Sequence, residues 1–197
     1  GIVVCKNNNA LICSTDALGR NGASPKPDTC NGVDDNCNGT TDDDFVATTG
    51  TPKKPLAGAR NAADNGKAKG ATCGIGACVS DGVGEVVCSA DAAKLVCSSD
   101  SRATTELCDD LDNDCNGTDD DPFRSPTGTK LTGAKYSTDN GKSKGASCGT
   151  GVCALPTAGK VVCAANKTSL VCDADGRATT ETCDTLDNNC TGGIDEG

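Results

Sequence analysis

The sequence predicts small disulfide-rich modules in tandem, mostly β and irregular, with short strands and hairpins, acidic loops and little or no helix. Three observations carry this expectation. Sixteen of the 197 residues are Cys, an even number at a density close to that of disulfide scaffolds. Bulky apolar residues are scarce: aromatics make up 2% of the chain, with no Met, no Trp, one Tyr and two Phe. Burial of such groups is the main favourable term in folding, so one large core is out of reach. The third observation is that the chain repeats itself.

Zinc-bound thiols need C-x2-C pairs or Cys/His clusters. This chain has no C-x2-C pair and no His. The cysteines therefore point to full pairing in an oxidising, extracellular compartment, secreted or at a cell surface. The net charge of −10 disfavours nucleic acid and anionic membrane surfaces and favours cations as partners. No apolar run approaches the roughly 20 residues of a membrane span, and no basic-then-apolar signal segment is present. The sequence opens on Gly1 rather than Met, as expected of a processed chain or a piece of a longer one.

The repeat is read from coincident cysteines. Cys73, Cys78, Cys88, Cys97, Cys108 and Cys115 recur as Cys148, Cys153, Cys163, Cys172, Cys183 and Cys190, all at one constant offset, the step from Cys73 to Cys148. The intervening text agrees, "DNGKAKGATCGIGAC" with "DNGKSKGASCGTGVC" and "RATTELCDDLDNDCNG" with "RATTETCDTLDNNCTG". Two full modules follow, 46–123 and 124–197. Residues 1–45 match only the back half of a module, without the C-G-x-G-x-C front. Each unit then holds an even number of cysteines, which permits disulfides closed within each unit. The pair flanking each acidic loop, such as Cys108 and Cys115, is expected to staple it locally.

Within a module, "GEVVC" and "KLVC" are short β-branched runs expected to be strands, as are "GIVVC" and "ALIC" in the first unit. Asp64-Asn65-Gly66 and Asp139-Asn140-Gly141 carry the Asn-Gly signature of a tight hairpin turn. "VATTGTPKKP" and "RSPTGT" read as extended connectors. Phe45 and Phe123 close matching acidic runs and are expected, with Tyr136, to pack at module junctions. No segment shows a period of 3.6.

The acidic segments "DDNCNGTTDD", "DNDCNGTDDD" and "DNNCTGGIDE" start at Asp34, Asp112 and Asp187. Each has an oxygen-bearing side chain at positions 1, 3 and 5, Gly at 6 and carboxylates at 9 and 10. Alternation aims side chains 1, 3 and 5 at one centre, and Gly allows the turn that brings the position 7 carbonyl inward. Like charges so crowded become tolerable as ligands of a hard divalent cation, and calcium is the expected one, at three metal-stabilised loops. Position 12 is Phe45 or Phe123, and no helical flanks are visible, so these are compact loops unlike an EF-hand.

"ELCDDLDNDCNGTDDD" resembles the E-x-C-D-G-x-D-N-D-C-D-G-x-x-D-E motif of the MopE-like metal-binding repeat, found in tandem in secreted and surface proteins of bacteria. The C-G-x-G-x-C segment looks like the module that accompanies it, and the loops are similar to the calcium loops of thrombospondin type 3 repeats. Carried over residue by residue, the resemblance implies a metal set in the first loop of Asp34, Asn36, Asn38, Asp42 and Asp43, with the carbonyl of Thr40. In the second it implies Asp112, Asp114, Asn116, Asp120 and Asp121, with Thr118. In the third it implies Asp187, Asn189, Thr191, Asp195 and Glu196, with Gly193. Asp28, Glu106 and Glu181 occupy the motif's Glu position and are weaker candidates. The family name implies copper in one member. A copper site wants His, Met or other soft ligands, and this chain has neither His nor Met.

Catalysis finds no support: there is no His and no Ser-x-x-Lys pattern. The expected function is that of a structural or adhesive protein whose calcium-stiffened modules assemble with copies of themselves or with neighbouring repeats into extracellular filaments. A soluble metal-binding protein of copper type, a stalk of a larger surface protein and, further down, a disulfide-stapled inhibitor are the alternatives.

Overall fold

A computed structural model describes residues 3–6, 10–13, 27–35, 40–47, 50 and 52–196. Its strands are β1 (Val3–Lys6), β2 (Ala10–Cys13), β3 (Thr72–Cys73), β4 (Gly84–Cys88), β5 (Leu95–Cys97), β6 (Ser147–Cys148), β7 (Gly159–Cys163) and β8 (Leu170–Cys172). One four-residue α-helix, α1 (Asp121–Arg124), and several 3-10 turns complete the elements among the described residues. β1 and β2 form a hairpin, and β3-β4-β5 and β6-β7-β8 are antiparallel three-stranded sheets. The disulfide-rich, mostly β and irregular fold is therefore the one observed.

The strands form where the sequence alternates. In β4 the Glu85 side chain is exposed and Val86 is buried, and across the hairpin Leu95 and Cys97 of β5 turn to the same core. Val86 stands opposite Cys97, and Cys88 opposite Leu95. The second sheet repeats this register with Val161 opposite Cys172 and Cys163 opposite Leu170. Gly84 opens β4 because a Cβ there would lie 2.9 Å from the main-chain nitrogen of Ser99, in the 3-10 turn that packs on the strand.

The chain divides into two compact units, Gly1–Thr104 with Asp114–Gly117, and Thr105–Asn113 with Thr118–Gly197. The first has a core of Cys30, Phe45, Leu56, Cys73, Val86, Leu95 and Cys97. Phe45 ends the first acidic loop yet is buried beneath the sheet of the following module, where a side chain of its size contributes about 2–3 kcal/mol. In the second unit Phe123 packs in the same way with Cys108, Leu131, Cys148, Val161, Leu170 and Cys172.

Cysteines supply much of both cores. Cys73 pairs with Cys97 and Cys148 with Cys172, tying β3 to β5 and β6 to β8. Cys78 pairs with Cys115 and Cys153 with Cys190, so each C-G-x-G-x-C front is fastened to the acidic loop of its own module. Cys30 pairs with Cys88 and Cys108 with Cys163. These last bridges overturn two expectations: disulfides do not all close within a repeat, and Cys108 and Cys115 do not staple their loop. The reason is directional. Cys115, at position 4, holds a left-handed conformation with φ 62° and bonds to Cys78 of the front segment, while Cys108 bonds to Cys163 of the next module's hairpin. Full pairing also fails, since Cys183 is a free, exposed thiol.

Asp64-Asn65-Gly66, expected to be a hairpin turn, joins no pair of strands. Asp64 ends a 3-10 turn, Ala62–Asp64, and its buried carboxylate accepts the Gly74 N–H at 2.8 Å and the Lys67 ammonium at 2.5 Å. Burial alone would raise its pKa, but the Lys67 and Gly74 hydrogen bonds outweigh it and hold Asp64 below the ordinary carboxylate value. Asp139 makes the same clasp to Gly149 at 2.7 Å and to Lys142. Once the carboxylate has a buried partner on the front segment, the turn serves that contact rather than a hairpin.

Candidate metal centre

The third acidic loop is the most completely described. Asp187, its first position, is 5% exposed. Its Oδ2 accepts the Gly192 N–H at 3.1 Å, while its buried Oδ1 has no hydrogen-bond donor. The front segment is shaped to this residue. Gly151, at φ +52°, comes so close that a Cβ would lie 2.2 Å from the Asp187 carbonyl oxygen, and the Val152 N–H donates to that oxygen at 3.0 Å. The second glycine of C-G-x-G-x-C is thus a close-approach glycine for the acidic loop.

Further round the loop, the Asn189 side chain accepts the Thr191 N–H at 3.0 Å, and the Thr191 hydroxyl donates to Glu196 Oε1. That hydroxyl lowers the Glu196 pKa. Glu196 Oε2 is buried without a donor, and a Cβ at Gly193 would lie 2.5 Å from it. A buried carboxylate oxygen without a donor costs on the order of 1–3 kcal/mol or more. A bound cation removes that cost. Glu181, by contrast, is occupied: it accepts the N–H groups of Asn188 and Asn189 at 3.1 Å and of Asp195 at 3.3 Å. The weaker candidate position is thus a structural brace.

In the first loop Asn36 and Asn38 lie outside the described residues. Asp34 is half-buried and Thr40 exposed. Asp28, the equivalent of Glu181, is fully buried and accepts the Asp43 N–H at 2.9 Å. Asp43 lies 3.6 Å from the Lys53 ammonium. Asp44 pairs with Lys53 at 2.9 Å and Lys54 at 3.2 Å, and the Lys53 hydrogen bond chiefly holds its carboxyl below the usual range. The connector lysines therefore neutralise the run of acids that they follow.

The second loop gives Asp114–Gly117 to the first unit and its remaining residues to the second. Glu106 accepts the N–H groups of Asn113 at 2.9 Å and Asp120 at 3.1 Å, and a carboxylate oxygen of Glu106 lies within 4.8 Å of one from Asp112. Asp112 is buried. Asp114 accepts both the N–H and the side-chain amide of Asn116 at 3.1 Å. Thr118 is exposed, and Asp121 is half-buried at the first residue of α1.

Position 9 does something that spacing did not reveal. Asp42, Asp120 and Asp195 all take left-handed backbone angles, φ 54°, 50° and 55°. Each turns one oxygen back onto the segment after the upstream cysteine: Asp42 onto the N–H groups of Asn31 and Gly32 at 3.1 Å, Asp120 onto those of Asp109 at 2.8 Å and Asp110 at 3.2 Å, Asp195 onto those of Asp184 at 3.0 Å and Thr185 at 3.1 Å. The other oxygen of Asp42 binds Lys69 at 2.5 Å, and that of Asp120 binds Lys144. Burial would raise both carboxyl pKa values, but the lysine and backbone donors prevail and lower them. In the first two loops, position 9 is a clasp to the next module. No sequence rule singles out Lys69 and Lys144, but they recur at the same offset as the cysteines, and that was a visible signal.

Several groupings of metal-binding side chains include cysteines, such as Cys30 with Asp42 and Cys88, or Cys108 with Asp120 and Cys163. These sulfurs are in disulfides, so they offer no thiolate. The donors that these groupings leave to a metal are oxygens, which suit hard cations.

The fold and the loops together define a disulfide-linked tandem repeat with acidic metal-binding loops. A family model for the copper-binding MopE type, described as "Putative metal-binding motif", matches residues 22–43, 102–121 and 178–196. The chain thus carries three copies of this motif, as the resemblance implied. No curated protein and no solved structure gives a significant match.

Proposed function

We propose that this is an extracellular, non-enzymatic structural protein whose acidic loops bind calcium and whose modules assemble end to end into filaments or adhesive arrays. The observation that carries the metal reading is the pair of buried oxygens without donors, Asp187 Oδ1 and Glu196 Oε2, in one loop. Calcium is favoured over copper because the loops offer oxygen ligands, the chain has no His and no Met, and the cysteines grouped with Asp42 and Asp120 are in disulfides. The disulfides favour an oxidising compartment. No helix among the described residues is long and apolar enough to cross a membrane.

Calorimetric titration of chelator-treated protein with calcium tests the metal, with binding in up to three steps expected. Stoichiometric retention of copper against excess calcium would overturn the choice of ion. Electron microscopy of the native material tests assembly: filaments are expected, and dispersed monomers would leave a soluble metal-binding protein.

A further inference from the structure

The bridges Cys30–Cys88 and Cys108–Cys163 belong to a larger joint that occurs twice in the same form. In both, the Cα atoms of the bridged residues are 5.3 Å apart. The N–H of the loop cysteine donates to the hairpin turn of the following module, Cys30 to the Ala92 carbonyl at 3.0 Å and Cys108 to the Lys167 carbonyl at 2.8 Å. Ala92 and Lys167 hold matching left-handed angles, φ 56° and 57°. A lysine of the same module binds the position 9 aspartate, Lys69 on Asp42 and Lys144 on Asp120. The main-chain N–H of that lysine donates to the carbonyl of Phe45 at 2.8 Å and of Phe123 at 2.9 Å. The lysine precedes the bridged hairpin cysteine by the same interval in both joints, Lys69 to Cys88 and Lys144 to Cys163.

The third loop presents the receiving half of this joint. Cys183 is the counterpart of Cys30 and Cys108, which are each 1% exposed, yet its thiol is free and exposed. Its N–H has no acceptor among the described residues. Asp195 keeps the inner half of the clasp, to Asp184 and Thr185, but no cation pairs with it among the described residues. Cys183 and Asp195 together line a small cavity with Glu181, Thr182 and Glu196.

We propose that this surface docks one more module of the same repeat, whose hairpin cysteine forms a disulfide with Cys183 and whose lysine, the counterpart of Lys69 and Lys144, pairs with Asp195. The occupant is set by the two joints already built and by charge: an acidic face with an open thiol, a free N–H donor and an unmatched carboxylate. The bond forms by oxidation of two thiols. With oxidised glutathione as the acceptor, both sulfurs lose a proton and an electron each, and two molecules of reduced glutathione leave. The joint does not depend on the metal reading, so calcium binding by the other loops is a separate readout.

The test appends a second copy of residues 123–197 directly after Gly197, which keeps the repeat spacing, and refolds the chain in a glutathione couple. Non-reducing peptide mapping should find Cys183 linked to the appended copy of Cys163, and iodoacetamide labelling should move from Cys183 to the appended copy of Cys183. A parallel extension with residues 45–122 should link Cys183 to the copy of Cys88. Changing the appended copy of Lys144 to Glu should reduce the yield of the new bridge relative to the internal ones. If either appended module forms its own internal bridges while Cys183 stays fully alkylated, or if Cys183 links elsewhere, the proposal is overturned.

Discussion

The Sγ of Cys108 is bonded to that of Cys163, 55 residues along the chain and in the next repeat, and the Asp120 carboxylate nearby receives the Lys144 ammonium from that same repeat. A covalent bond and a buried ion pair thus fasten one acidic loop to the following sheet. Neither partner of the joint is local in sequence, which is why a chain with so few large apolar groups holds a fixed structure.

Peptide mapping without reduction should recover Cys108 peptides joined to Cys163 peptides and Cys78 peptides joined to Cys115 peptides. A Cys108–Cys115 product would contradict the pairing.

Removing the long bridge with Cys108→Ser and Cys163→Ser together should destabilise the second unit by about 2–5 kcal/mol. Denaturant melts of the double variant against the parent measure it. A change well under about 1 kcal/mol, below the usual range for a lost native bridge, would mean that Phe123 and the Asp120 clasp hold the joint without the disulfide.

The clasps should weaken in acid. Asp42 and Asp120 have folded-state pKa values below the ordinary 3.8. Their contribution is therefore complete above pH 3.8 and fades as the pH falls from there through the lowered values. Thermal melts across that range should show a steeper loss for the parent than for Asp42→Asn and Asp120→Asn variants, which should start less stable at neutral pH. Parallel slopes would refute the linkage.

Calcium should bind most tightly at the second loop, the one in which positions 1 and 3 are both Asp. Asp112→Ala should abolish the tightest step of the isotherm while leaving weaker steps in place. An unchanged isotherm would remove Asp112 from the ligand set.

In the third loop, Gly193→Ala should push Glu196 aside, since its new Cβ would sit 2.5 Å from Oε2. The expected result is a weaker third calcium step with little change in the melt. Gly151→Ala should do the reverse in emphasis: its Cβ meets the backbone of Asp187 at 2.2 Å, in a left-handed conformation that itself costs about 1–2 kcal/mol, so the melting temperature of the second unit should fall. Equal stability of the parent and the Gly151 variant would show that the front segment can move away from the loop.

By itself the sequence determined the repeat, the short strands, the near absence of helix and the three acidic loops. Those features rest on local chemistry: β-branched alternation in "GEVVC", Gly at position 6, and acids spaced two apart. It also placed Phe45 and Phe123 at junctions, since each closes an acidic run at the end of its repeat. What only the tertiary structure decided is which residue meets which from one repeat to the next. Spacing cannot choose among disulfide connectivities, since every cysteine in an even set has several chemically equal partners, and only chain path and side-chain direction bring Cys30 to Cys88. The aspartates show the same limit. In sequence, positions 1 and 9 are both Asp in every loop, yet a left-handed backbone turns position 9 to the N–H groups and, in the first two loops, to a lysine from the next module, while Asp187 keeps a buried oxygen free for a cation.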